Sequence, residues 1–236
     1  MNGRMQHKCR MNDRGLRLFL KGLVPICFLL LFMNMSVITG LGMVAYGQPT
    51  DTPEPISPSK VITKFHEALI KSMKAGKEAG YEGRYAILDP VLRDTYGFAT
   101  ISKMVLGSAW KTLDDEQKKS FIDVFTRFTI ATYAFRFDEY HGEQFETISE
   151  KERRKNLRLV HSVFTDGNGA KRSFDYQLLL TKKHWRIVNV AVDGISDISL
   201  KRAEYTDIIK RDGFTALLTN LKDHIHEMES TAEKKG

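Results

Sequence analysis

From Gln48 onward the 236-residue chain has no cysteine, because both cysteines, Cys9 and Cys27, lie before it. That part can hold no disulfide, cysteine–metal site, cysteine nucleophile or dithiol redox centre. Catalytic signatures are also missing. There is no Gly-x-Ser-x-Gly elbow, no His-Glu-x-x-His, no phosphate loop ending in Gly-Lys-Ser/Thr, and no Rossmann glycine triplet after a strand. Gly40, Gly42 and Gly47 look glycine-rich but sit in an apolar N-terminal stretch. Nor does the bulk of the chain carry a surplus of charge. The formal net charge is +7, but Arg4, Lys8, Arg10, Arg14, Arg17 and Lys21 stand against Asp13 alone in residues 1–47. The rest holds 30 basic and 28 acidic residues, which gives no warrant for nucleic acid as a partner. With 42% hydrophobic and 28% charged residues the composition is that of an ordinary globular protein.

What is present at the N-terminus reads as an export signal, residues 1–47. Six positive charges precede an uncharged, mostly apolar stretch from Gly22 to Tyr46, and Ala45-Tyr46-Gly47 offers small residues for cleavage before Gln48. An uncleaved membrane anchor is the rival reading, although Pro25, Asn34 and three glycines make a poor permanent span. Either way, everything downstream is expected outside the inner membrane, in the periplasm of a bacterium. Residues 48–58 contain four of the six prolines and are expected to form an extended tether. Residues 59–230 then suffice for a single domain with a core.

The periodicity of that domain is helical, then β, then helical. Ser59 is placed to cap a helix carrying Val61, Ile62, Phe65, Leu69 and Met73 and ending near Gly76. Helical spacing resumes over Tyr81–Tyr96, with Pro90 inside it, and over Phe98–Leu106. A long aromatic helix follows Asp114-Asp115-Glu116 and runs to Phe137. From Glu143 the period drops to two, with strands expected at Glu143–Ser149, Leu157–Thr165, Arg172–Thr181 and Trp185–Val192. Their short links imply an antiparallel meander. Helices return at Leu200–Arg211 and Phe214–Met228. The fold class expected is α+β: a curved antiparallel sheet of about four strands packed against several helices, enclosing an apolar cavity.

That cavity is expected between the long helix and the sheet. Phe174, Tyr176, Leu178 and Leu180 share one strand face, as do Val188, Val190 and Val192, with Ile195 following at a turn. Phe121, Phe125 and Phe128 share one side of the helix. Plain core packing is the alternative for each of them. Titratable residues offer less. His161 and Asp175 fall on strands and would permit acid/base work if they met inside a cavity, against the blander reading of hydrogen-bonded surface residues. His66-Glu67 reads as a solvated helix face. His224 and His226 are split around a helix. The run Lys151, Arg153, Arg154, Lys155 and Arg158, diluted by Glu150 and Glu152, reads as a solvated loop; as a docking patch it would suit anionic headgroups or an acidic surface.

The stretch His184-Trp185-Arg186-Ile187-Val188-Asn189-Val190-Ala191-Val192-Asp193-Gly194-Ile195-Ser196 is more specific, followed by Lys201-Arg202-Ala203-Glu204-Tyr205, Asp212-Gly213-Phe214 and Leu217-Leu218. It resembles the C-terminal signature of the MlaC/toluene-tolerance family of periplasmic lipid-binding proteins, in which a Trp-Arg-Ile strand leads to a Gly-Val-Ser turn and an Arg-containing helix. Ile195 stands where that family usually has Val. The form Gly-Ile-Ser-Asp-Ile-Ser-Leu-Lys-Arg-Ala-Glu-Tyr looks closest to the branch associated with hopanoid biosynthesis loci, often called HpnM. The resemblance implies an NTF2/cystatin-like layout and a non-catalytic carrier without cofactor or metal. Such a carrier would hold a phospholipid or hopanoid and pass it between an outer-membrane lipoprotein/porin complex and an inner-membrane ABC transporter complex. A cavity enzyme using Asp175 and His161, or an envelope scaffold, are the competing classes.

Overall fold

The structure, a computed structural model, describes residues 56–182 and 184–234. The expected export signal and most of the tether lie outside the described residues.

Helix α1 spans Pro58–Thr95. Its cap is Ser57 rather than Ser59: the Ser57 hydroxyl accepts the Lys60 N–H at 3.4 Å, and Pro58 takes the first helical position, where a missing N–H costs nothing. The expected interruption is present. Gly76 (φ 52°) and Gly80 (φ 60°) adopt left-handed backbone that a side chain would oppose, so α1 is two helical segments joined at a break. Arg84, only 5% exposed, secures the break. Its Nη1 donates to the Gly76 carbonyl at 2.9 Å and its Nε to the Ala134 carbonyl at 3.0 Å, satisfying backbone acceptors on two helices at once.

Helix α2 is Phe98–Leu106, and a 3₁₀ turn at Ala109–Lys111 leads to α3, Asp115–Arg136. A reciprocal capping box opens α3, with Asp114 accepting from the Gln117 N–H at 2.7 Å and Gln117 from the Asp114 N–H at 3.0 Å. The sheet follows as β1 (Gln144–Arg154), β2 (Leu157–Thr165), β3 (Lys171–Thr181), β4 (His184–Val192) and a two-residue β5 (Ile195–Ser196). All four pairings are antiparallel, in the order β1-β2-β3-β4-β5. Helices α4 (Asp197–Asp212) and α5 (Phe214–Glu233) close the chain. The α+β class and the meander thus stand, with a short fifth strand added.

Two strand-level expectations need correction. Strand β1 continues to Arg154, so Lys151, Arg153 and Arg154 lie on an exposed edge strand rather than in a loop. In β4 a bulge breaks the strict alternation. Gln177 pairs with Asn189 but Leu178 pairs with Ile187, leaving Val188 as the extra residue. Beyond the bulge Ile187 and Trp185 therefore turn to the same face as Leu178 and Leu180, and both are buried.

The larger correction concerns which helix covers the sheet. It is α1, with α2 and α4 over β4, whereas α3 packs among α1, α2 and α5. Phe121 and Phe125 stack on each other at 5.6 Å, and both meet Tyr205 of α4 edge-on. Phe121 also touches Phe214, Phe125 meets Phe98, and Phe128 faces His224 of α5. The aromatic side of α3 that sequence periodicity assigned to a cavity is the seam of a helical layer. Gly97 lets the α1–α2 link lie directly on β4: its N–H donates to the Ile187 carbonyl at 2.9 Å, and a Cβ there would come within 3.2 Å of Val188.

Candidate functional site

Between α1 and the inner face of the sheet lies a continuous set of aromatic rings. Phe65 meets Tyr96 and Tyr133 edge-on, both at 5.3 Å. Tyr133 stacks on Phe137, which contacts Phe145 and Phe164. Phe145 lies 4.8 Å from Phe164 and 6.0 Å from Phe174, and Phe174 stacks on Tyr176. These rings come from α1, the end of α3 and the first three strands, so the fold gathers residues spread over some hundred positions of sequence.

Polar atoms inside this cluster are paired with one another. The Tyr96 and Tyr133 hydroxyls lie 2.8 Å apart, and His66 Nε2 lies 2.9 Å from the Tyr176 hydroxyl. Burial pushes the hydroxyls of Tyr96 and Tyr176 well above the ordinary phenol range and that of Tyr133 up to about 12, so all three stay protonated. His66 is 6% exposed and stacks on Phe145 at 4.2 Å. Desolvation drives its pKa down to about 3, which makes it a neutral, amphipathic member of an apolar lining. The expectation of a solvated His66 is therefore overturned, while Glu67 beside it is exposed. The sequence signal was available: His66 follows Phe65 and lies four residues after Ile62, on the buried stripe of α1.

The cluster reaches the surface through an open groove of about 690 Å³ between α1 and edge strand β1. Thr63, His66 and Ile70 line one side and Phe145 and Thr147 the other, with Lys71 and Lys74 at the rim. Lys74 Nζ sits 4.9 Å from the Tyr140 ring centroid. A volume of this size falls in the range of roughly 300–1,000 Å³ usual for small-molecule sites. A second groove, about 510 Å³, lies between the two segments of α1 and is lined by Lys64, Ala68, Ile87 and Val91 among others.

The residues singled out from sequence distribute as follows. Phe174 and Tyr176 belong to the aromatic cluster behind the main groove. Leu178, Val188 and Val190 are buried in the sheet core, Leu178 with no exposure at all. Leu180 and Val192 are half-buried at its margins. Ile195 is 48% exposed on β5, outside the interior. Phe121, Phe125 and Phe128 belong to the helical seam. Sequence reasoning missed Phe65, His66, Tyr96, Tyr133 and Phe145, because it took the wrong helix as the cover of the sheet. His161 and Asp175 do meet, with Nδ1 and Oδ1 2.8 Å apart, but as cross-strand partners on the sheet face away from α1. Both side chains are about one-third exposed there, and neither lines either of the two grooves.

Three comparisons bear on this architecture. The chain is 27% identical over 182 residues to the toluene tolerance protein ttg2D of Pseudomonas putida, an alignment covering 74% of this chain and 83% of that protein. A solved structure of the phospholipid-binding protein from Ralstonia solanacearum, in complex with a phospholipid, superposes with a TM-score of 0.64 at 16% identity. It covers 72% of this chain and 97% of its own, and at that identity establishes a shared fold. A family profile described as MlaC protein matches residues 63–223, a span containing α2 to α4, the whole sheet, most of α1 and the first half of α5, and the chain belongs to the MlaC family.

Proposed function

We propose that this protein is a non-catalytic periplasmic lipid carrier whose cargo tails occupy the aromatic interior between α1 and the sheet, entering by the α1–β1 groove. The observation that carries the reading is that this groove opens onto a ring-lined interior whose polar groups are already paired, in a chain of the MlaC family. The Ralstonia neighbour, crystallised with a phospholipid, supports the same cargo class here. Side-chain rotation of Phe145, Phe164 and Phe174 would open room for tails without breaking a backbone ladder. At about 0.8 kcal/mol per buried methylene, one long acyl chain contributes roughly 10 kcal/mol before association costs. Spontaneous release is then slow, so hand-over to membrane complexes is the expected mode: an inner-membrane ABC transporter on one side and an outer-membrane lipoprotein/porin complex on the other. The resemblance of Gly194–Tyr205 to the hopanoid-associated branch makes a hopanoid-type lipid the alternative cargo to phospholipid. Native mass spectrometry of protein purified from a membrane-containing host is expected to show a folded species heavier than the polypeptide by one lipid. A species at the bare polypeptide mass would favour an envelope scaffold.

A further inference from the structure

At one end of the sheet, two hairpin turns gather positive charge in excess of the acids beside it. Strand β1 finishes in Lys151, Glu152, Arg153 and Arg154, the β1–β2 turn is Lys155-Asn156, and the β3–β4 turn begins at Lys182. Because each strand of a meander reverses the last, these turns share an end. The Leu180 N–H donating to the Asn156 carbonyl at 2.9 Å ties them together. All these residues are exposed. The two acids of the run are already paired: Arg158 lies 3.0 Å from Glu152 and 3.9 Å from Glu150, and Glu150 also accepts from the Ser59 hydroxyl at 2.6 Å. Among the described residues, Lys151, Arg153, Arg154, Lys155 and Lys182 enter no ion pair.

Backbone conformation adds a second observation. Lys182 holds φ 45°, a left-handed conformation that favours Gly or Asn. The β2–β3 turn at the opposite end is built from Asp166-Gly167-Asn168-Gly169, residues suited to such turns. A lysine thus occupies the strained tip position at the basic end. The first turn of α1 is bonded to β1 near this end. Ser59 is bonded to Glu150, and Ile56, two residues before the first turn of α1, is 67% exposed.

We propose that this end of the sheet is a docking face for an anionic bilayer surface. The cations sit on long side chains at two turn tips, and neither groove is lined by any of them. A diffuse, planar negative field engages such a layout without register, whereas an acidic protein would need fixed partners opposite each charge. The exposed apolar Ile56 at the same end is compatible with a headgroup layer. Docking would be electrostatic and reversible, weakened by salt, and independent of what the interior binds.

The test is co-sedimentation of the full chain with mixed phosphatidylcholine–phosphatidylglycerol vesicles, against pure phosphatidylcholine vesicles. Wild type is expected to bind the mixed vesicles and to be released by high salt. The triple variant Arg153→Gln/Arg154→Gln/Lys155→Gln is expected to bind them on the order of a hundredfold more weakly, since each cation near an anionic surface is worth roughly a fivefold gain. A control pair of exposed lysines elsewhere, Lys119→Gln/Lys222→Gln, is expected to bind as wild type does. The triple variant's unchanged thermal melt would show that the loss is not unfolding. Equal binding of wild type and triple variant to both vesicle types would assign the contact to the apolar residues 22–46 and overturn the proposal. Failure of wild type to bind the mixed vesicles would overturn it in favour of an acidic protein partner.

Discussion

Acidification should destabilise this protein through one residue, His66. Its imidazole lies inside the aromatic cluster, 2.9 Å from the Tyr176 hydroxyl and stacked on Phe145. Burial lowers its pKa from 6.5 to about 3. A depressed histidine pKa means that the fold binds the neutral ring and the unfolded chain takes up the proton first. The associated stability is therefore complete above pH 6.5 and lost as pH falls from 6.5 towards 3. Each pH unit in that window costs about 1.4 kcal/mol, so acidification to about pH 5 removes roughly 2 kcal/mol. Carboxylates act lower. Asp94, held below its ordinary range by the hydrogen bond from Lys64, adds its loss only as pH falls through the carboxylate range. Urea denaturation followed by circular dichroism between neutrality and about pH 5 measures the slope. The variant His66→Gln keeps a polar group for Tyr176 and removes the titration. It is expected to start less stable but to stay flat across the window. The same slope in wild type and variant would refute the assignment of a buried neutral imidazole.

Other substitutions separate core from surface. Leu178→Ala, at a position without exposure, is expected to cost about 2–5 kcal/mol by urea denaturation, and Leu178→Asp to prevent folding, whereas Ile195→Asp, half-exposed on β5, keeps the wild-type melt. Arg84→Met leaves the Gly76 and Ala134 carbonyls without their donors and is expected to cost about 1–3 kcal/mol or more, with loss of helical signal on mild heating as its sign. Ile70→Asp at the groove rim is expected to stay folded and to come away from purification without lipid, while retention of wild-type lipid by that variant would move the entrance elsewhere. N-terminal sequencing of periplasmic material is expected to begin at Gln48, and an intact Met1 in the membrane fraction would indicate an anchor instead.

Much of the secondary structure could be read from sequence because each element carries its own signal. The period-two runs, the Asp166-Gly167-Asn168-Gly169 turn, the acidic opening of α3 at Asp114-Asp115-Glu116 and the break at Gly76 are local, and local chemistry decided them. The C-terminal Trp185–Tyr205 stretch carried the family. The site was less legible for a physical reason. Periodicity reports that a face is buried but not what buries it, so the Phe121–Phe128 stripe of α3 looked the same whether it met a sheet or other helices. Strict alternation also failed where the β4 bulge at Val188 shifted the face by one residue, turning Ile187 inward. His66 was misjudged because a histidine beside a glutamate looks solvated until the partner across the chain, Tyr176, is known.

The central claim, that lipid tails lie between α1 and the sheet, is tested most directly by photocrosslinking. Protein loaded with a phospholipid carrying a diazirine in its tail is irradiated, digested and mapped by mass spectrometry. The account predicts adducts on Thr63–Lys74 and Glu143–Thr147 and on the strand residues Phe164, Phe174 and Tyr176 behind them. Adducts confined to the helical seam of Phe121, Phe125 and Phe128 would contradict it.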